Sequence, residues 1–98
     1  TDCEVYVLAE PAYQAQAMQL AEQVRDALPR LRIKTGSAGS LKSQMKKADQ
    51  SGATLGLIVG ERELAEQTVS VKLLSSGEQW AWPAAQLVDE LQQYFQGA

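Results

Sequence analysis

Thr54-Leu-Gly-Leu-Ile-Val59 is the most hydrophobic run in this chain, and no charged residue interrupts it. A strand with one wet face needs an apolar residue only at every second position. A run that is apolar almost throughout needs cover on both sides. This stretch is therefore expected to be the central strand of a sheet, and the other segments have to supply helices for both faces.

The rest of the chain is patterned to do so. Glu4-Val-Tyr-Val-Leu-Ala9 is a short β-branched and aromatic run, a buried strand. Glu10-Pro11 ends it, with the proline suited to a first helical turn. Ala17, Leu20, Ala21, Val24 and Leu28 then recur at helical spacing, and the helix should stop before Pro29. Leu31-Arg-Ile-Lys-Thr35 alternates apolar and basic residues, as an outer strand with one wet face would. From Gly36 to Ala53 the chain reads as a small-residue loop feeding a short basic helix. Ser40 is the expected N-cap, Leu41, Met45 and Ala48 share the buried face, and Gly52 is placed to end the helix in a left-handed conformation. Beyond the central run, Gly60 to Glu66 is a charged connector with room for one helical turn. Thr68 to Leu74 and Glu78 to Trp82 read as a β-hairpin around a Ser75-Ser-Gly77 loop, closed by Pro83. Ala84, Leu87, Val88, Leu91, Tyr94 and Phe95 form the stripe of a last packing helix.

The order is β-α-β-α-β, a hairpin, then α. Right-handed crossovers put helices on both faces of a mostly parallel sheet. The expected fold is α/β, a three-layer α/β/α arrangement on a five-stranded mixed sheet. Its strand order should be 2-1-3, extended past strand 3 by the hairpin with one antiparallel strand.

At 98 residues the chain is one domain, and no apolar run approaches the roughly 20 residues of a membrane span. It contains no histidine, which removes the commonest general base and the commonest metal ligand. Cys3 is alone, so there is neither a disulfide framework nor a cysteine-rich metal site, and a buried inert thiol is expected. A self-contained hydrolase or metalloenzyme is set aside. The chain opens at Thr1 rather than at methionine, which suggests a piece of something larger. Net charge is −3, yet Arg30, Arg32, Lys34, Lys42, Lys46 and Lys47 lie between Ala27 and Lys47 with no acid among them. Such a basic half can bind phosphate while the other half keeps the domain soluble, or it is simply a solvated face.

Several stretches could carry chemistry. Gly36-Ser-Ala-Gly-Ser-Leu-Lys-Ser43 misses the phosphate-binding pattern G-x-x-x-x-G-K-[ST] by one residue, Leu41 in place of the second glycine. That glycine lets the backbone curl beneath a phosphate, so nucleotide hydrolysis is set aside. The free N–H groups behind Ser40 and the nearby lysines still favour an anionic partner. Glu61 and Glu63 follow the central strand, where open α/β sheets place their sites. A charged loop, or a carboxylate accepting from base amino groups, fits them better than acid–base catalysis. Lys72 on the adjacent strand could donate to base carbonyls or to a phosphate. Trp80 and Trp82 share one strand face and either stack on bases or pack beneath the last helix.

Four stretches, in order across the chain, carry a resemblance: Ser40-Leu-Lys-Ser-Gln-Met-Lys-Lys-Ala-Asp-Gln-Ser-Gly-Ala53, Leu57-Ile-Val-Gly-Glu-Arg-Glu63, Val69-Ser-Val-Lys72 and Ser76-Gly-Glu-Gln79. Together they resemble the C-terminal anticodon-binding domain of class IIa aminoacyl-tRNA synthetases, histidyl-tRNA synthetases most of all. The resemblance spans essentially the whole chain and implies a tRNA-binding domain over residues 1–98 that grips the anticodon stem-loop of histidine tRNA. It implies Glu63 and Lys72 against anticodon bases, with Lys42, Gln44 and Lys46 lining the loop–helix side of the tRNA contact. The parent it implies is a cytoplasmic, homodimeric histidine–tRNA ligase that uses ATP and magnesium in a separate catalytic domain. This chain would then hold no catalytic residue, metal or cofactor of its own and would touch no membrane.

The chain also departs from that family. Ser37-Ala38 stands where paired glycines are usual, Ser43 where a second basic residue is common, and Leu73 where an acid often follows the strand lysine. With the paired tryptophans, these departures motivate a rival reading: a protein-interaction or regulatory domain of a synthetase-like paralogue without tRNA recognition.

Overall fold

The computed structural model describes residues 3–36 and 39–96; Thr1 and the Ser37-Ala38 pair lie outside the described residues. Five strands, β1 (Val5–Ala9), β2 (Ile33–Thr35), β3 (Leu55–Val59), β4 (Thr68–Leu73) and β5 (Gln79–Pro83), form one sheet in the order β2-β1-β3-β4-β5. β1 runs parallel to β2 and β3, and β4 is antiparallel to both of its neighbours. Helices α1 (Gln14–Ala27), α2 (Leu41–Ser51), α3 (Glu61–Glu66) and α4 (Leu87–Tyr94) complete it. Strand order and the single antiparallel strand are as expected. β3 lies in the middle, and all five of its residues are buried.

Alternation along the strands splits the core in two. Val5, Val7, Leu55, Leu57, Val59, Val69 and Val71 turn to one face, where Ala17, Ala21 and Val24 of α1 and Leu87 and Leu91 of α4 cover them. Tyr6, Leu8 and Ile58 turn to the other, beneath Leu41, Met45 and Ala48 of α2, with Cys3 buried beside them. Two helices thus cover one face, while α2 lies over β1 on the other. Trp80 and Trp82 belong to the two-helix face and pack on Tyr94 of α4, each ring centroid 6.2 Å from it. Their strand neighbours Gln79, Ala81 and Pro83 point the opposite way and are exposed.

Several local features differ from the sequence expectation, among them a 3-10 turn, Ala84–Gln86, that precedes α4. β2 is shorter, because the Glu4 carboxylate accepts from the Arg32 backbone N–H at 2.6 Å and from its guanidinium at 2.8 Å. Leu31 N–H meanwhile donates back to the Leu28 carbonyl at 3.0 Å, so Leu31 turns, while the Arg32 carbonyl still accepts from Glu4 N–H at 3.0 Å. Pro11 opens a separate 3-10 turn, Pro11–Tyr13, ahead of α1. The hairpin loop is one residue longer, Leu74 to Gly77, closed by Leu73 N–H donating to the Glu78 carbonyl at 2.8 Å. Leu74 leaves the hairpin because its N–H donates to the Thr54 carbonyl at 3.0 Å. The charged connector is the six-residue helix α3, stopped by Gln67 at φ 57.

Candidate functional site

On the α2 side α2 packs on β1, and among the described residues the short helix α3 is what reaches the hairpin half of the sheet. Register sets Ser70 opposite Ile58 and Lys72 opposite Gly56, so both side chains turn to that face. Gln79 and Ala81 of β5 lie beside them. α3 reaches this surface at Ser70, where the Ser70 hydroxyl donates to Glu63 Oε2 at 2.6 Å. Arg62 donates to the same oxygen at 3.3 Å. Burial pushes the Glu63 carboxyl up, but the Ser70 hydroxyl, the residue's own backbone N–H and the Arg62 guanidinium outweigh it and hold the group below the usual carboxylate range. Glu63 is therefore ionised at neutral pH.

Glu63 and Lys72, singled out from the sequence, are brought to one face: Glu63 bonds Ser70, and Lys72 lies next along the same side of β4. Glu63 is nevertheless buried, with its Oε2 engaged inside the domain. Its partner Arg62 is the outward group, its side chain 73% exposed. Sequence reasoning passed over Arg62. Flanked by Glu61 and Glu63 it looks like one more charge in a connector, and its anchor is Ser70 of another element.

Gln44 corrects the expectation that it lines the contact. It is 1% exposed. Its Nε2 donates to the Ala9 carbonyl at 2.8 Å and the Gly39 carbonyl at 2.9 Å, and its Oε1 accepts from Ala9 N–H at 3.1 Å. β2 ends opposite Val7, so Ala9 has no strand partner on that side, and the Gln44 amide stands in for one. Gly36 lies so close that a Cβ there would come within 2.6 Å of Gln44 Oε1. Gln44 fastens α2 and Gly39 to the end of β1 from beneath. The sequence held a signal for this: Gln44 falls on the same helical stripe as Leu41, Met45 and Ala48.

Above it the lysines face solvent. Ser40 caps α2, its Oγ accepting from Ser43 N–H at 3.1 Å, and Gly52 ends it at φ 77, both as expected. Lys42 and Lys46, one turn apart and exposed, flank a shallow groove with Leu41, Met45 and Asp49. Lys34 on β2 pairs in register with Tyr6 and so points to this same face, whereas Arg32 is held by Glu4. Between β1 and β3, where open α/β sheets bind ligands, the chain fills the place itself. Glu10 Oε1 accepts from Glu61 N–H at 3.2 Å, and a Cβ on Gly60 would come within 2.7 Å of that carboxylate. A phosphate would meet a carboxylate there. Among the described residues, no group of three or more acidic, cysteine or histidine residues could hold a metal ion.

A sequence model of the anticodon binding domain matches residues 2–94. The chain is 53% identical over 98 residues to the histidine–tRNA ligase of Acinetobacter baumannii (strain AYE), covering 96% of this chain and 23% of that protein. It is 44% identical over 77 residues to the histidine–tRNA ligase of Psychrobacter arcticus, covering 79% of this chain and 17% of that protein. The chain thus spans less than a quarter of the length of the curated relatives it matches. Among solved structures, histidyl-tRNA synthetase from Nostoc sp. PCC 7120 superimposes with a TM-score of 0.81 at 29% identity, over 96% of this chain and 23% of that one. The RNA binding domain of threonyl-tRNA synthetase from Cryptosporidium parvum shares the fold, with a TM-score of 0.81 at 14% identity over 95% of this chain and 24% of that one.

Proposed function

The chain belongs to the anticodon binding domain family, and from that membership we propose that it is the module with which a histidine–tRNA ligase grips the anticodon stem-loop of its tRNA. One observation carries the proposal: Lys42, Lys46 and Lys72 share a face of the sheet, and the β5 residues Gln79 and Ala81 beside Lys72 and Ser70 on that face are exposed. Lys42 and Lys46 contact phosphates and orient the RNA, a task that needs charge but no sequence information. RNA sequence is read mainly in unstacked loops, whose bases can splay onto an open surface. Here they meet side chains around Glu63 and Lys72. Gln44 contributes by holding the loop and α2 in place. The parent's ATP- and magnesium-dependent ligation belongs to a separate catalytic domain of a homodimeric cytoplasmic enzyme, and this module supplies affinity and selection rather than bond-making. The tryptophans that motivated the interaction-domain reading pack on Tyr94, and no other observation favours that rival.

The test is a titration of this chain, at several salt concentrations, with histidine tRNA and an anticodon-substituted copy. Binding should weaken with salt and weaken again when the anticodon changes. Lys46→Ala should lower affinity for both RNAs alike and reduce the salt slope by about one. Equal affinity for both anticodons in the unsubstituted chain would leave only a phosphate-binding surface and overturn the selection role.

A further inference from the structure

We propose that Arg62 is the residue that reads a guanine of the anticodon loop, with Glu63 and Ser70 acting as positioning residues that fix its guanidinium. The inference rests on the tRNA-binding reading above and assigns the group within that surface that meets a base. A guanidinium is a planar fork with five N–H donors. One terminal nitrogen of Arg62 lies 3.3 Å from Glu63 Oε2 and 3.5 Å from Ser70 Oγ. Both anchors are buried, while the Arg62 side chain is 73% exposed. The fork is held at one corner and open along the rest.

The charge balance selects the ligand. Glu63 is ionised and adjacent, so the pair has little net charge to attract a phosphate. What remains is a set of directional donors, suited to a neutral edge that offers two acceptors. Guanine O6 and N7 form such an edge, and arginine meets it bidentately. The histidine anticodon, GUG by the genetic code, offers two guanines. Lys72 stands one same-side position beyond Ser70 on β4, about 7 Å along the strand, where it can take the neighbouring phosphate or carbonyl.

The experiment is a cycle between protein and RNA. Anticodon stem-loops carrying guanine, or 7-deazaguanine at each anticodon guanine in turn, are titrated against the unsubstituted chain, Arg62→Ala and Arg62→Lys. At one guanine, losing N7 should weaken binding to the unsubstituted chain about tenfold. Neither variant should then distinguish the two RNAs, because lysine keeps the charge but not the fork. The salt slope should be unchanged in both. Glu63→Gln and Ser70→Ala should shrink the deaza effect, and neither should do so once Arg62 is gone. A deaza effect that survives intact in Arg62→Ala would place the reader elsewhere. A uniform loss with a flatter salt slope would make Arg62 a phosphate contact; either result overturns the proposal. If the unsubstituted chain shows no anticodon preference, the tRNA-selection reading itself fails, and that outcome is distinguishable from both.

Discussion

At the scale of single residues, the decisive contacts are those of polar groups that never reach the surface. Gln44 is the clearest, since its amide completes a strand end that β2 is too short to pair. Gln44→Leu keeps the volume and removes three hydrogen bonds. Ala9 O keeps a second donor in Gln14 Nε2 at 3.2 Å and Gly39 is exposed to water, so the buried orphan is Ala9 N–H. An unpaired buried group costs about 1–3 kcal/mol, and urea melts should show a loss in that range. Gln44→Glu adds a signature of mechanism. An ionised carboxylate cannot donate to Gly39, and burial would raise its pKa above the unfolded value. Its folded form then takes up a proton, so the variant should recover stability, relative to the parent chain, as pH falls from 8 to 5. A deficit that is constant across that range would show that the donor bond to Gly39 is not what matters. Gly36→Ala drives a Cβ against the same amide, and its cost should be less than additive with Gln44→Leu.

Elements were legible where their signals are local. α2 was readable end to end because a serine N-cap and a left-handed glycine act within one turn of the residues they serve. The same locality makes its prediction simple. Ser40→Ala removes the acceptor for Ser43 N–H and should cost about 1 kcal/mol in thermal or urea unfolding. A loss near zero would mean that water replaces the cap fully. Strand order followed from the apolar periods and crossover handedness, which are again properties of short segments. What escaped the sequence depends on distant partners. β2 lost its first residues to Glu4, a group 28 residues away. The hairpin loop grew because Leu74 bonds Thr54 instead of its own hairpin. The candidate surface was half legible for the same reason: lysines on an exposed helix face announce themselves, whereas Glu63 is buried by Ser70 across the turn between α3 and β4. Gln44 was misjudged because its polarity argued for the surface while its spacing argued for the core.

For the molecule as a whole, the balance of charge is acidic while the stretch from Arg30 to Lys47 is basic. The net charge is −3, yet exposed lysines stand on the α2 side. Two of the balancing carboxylates also tie the fold together. The Arg32 side chain holds the Glu4 carboxyl below its usual range against a smaller opposing effect of burial. Burial raises that of Glu63, but Ser70, its own backbone N–H and Arg62 more than reverse it. Both folded-state values therefore lie beneath the unfolded value of about 4.3. A carboxyl depressed in this way contributes its full stability above the unfolded value and loses it as pH falls through the folded one. With no histidine in the chain, no side chain of that type adds a transition near neutrality. Tm should accordingly stay level between about pH 8 and pH 5, then fall as the solution is acidified below about 4.3. Glu63→Gln keeps an acceptor for the Ser70 hydroxyl but gives up the charge. It should lower stability at pH 7 by about 1 kcal/mol and make the acid fall shallower. Melts of both chains from pH 7 down to pH 3 decide the matter. If the two curves run parallel, the acid sensitivity belongs to other carboxylates, with Glu4 and its Arg32 clasp the next to substitute.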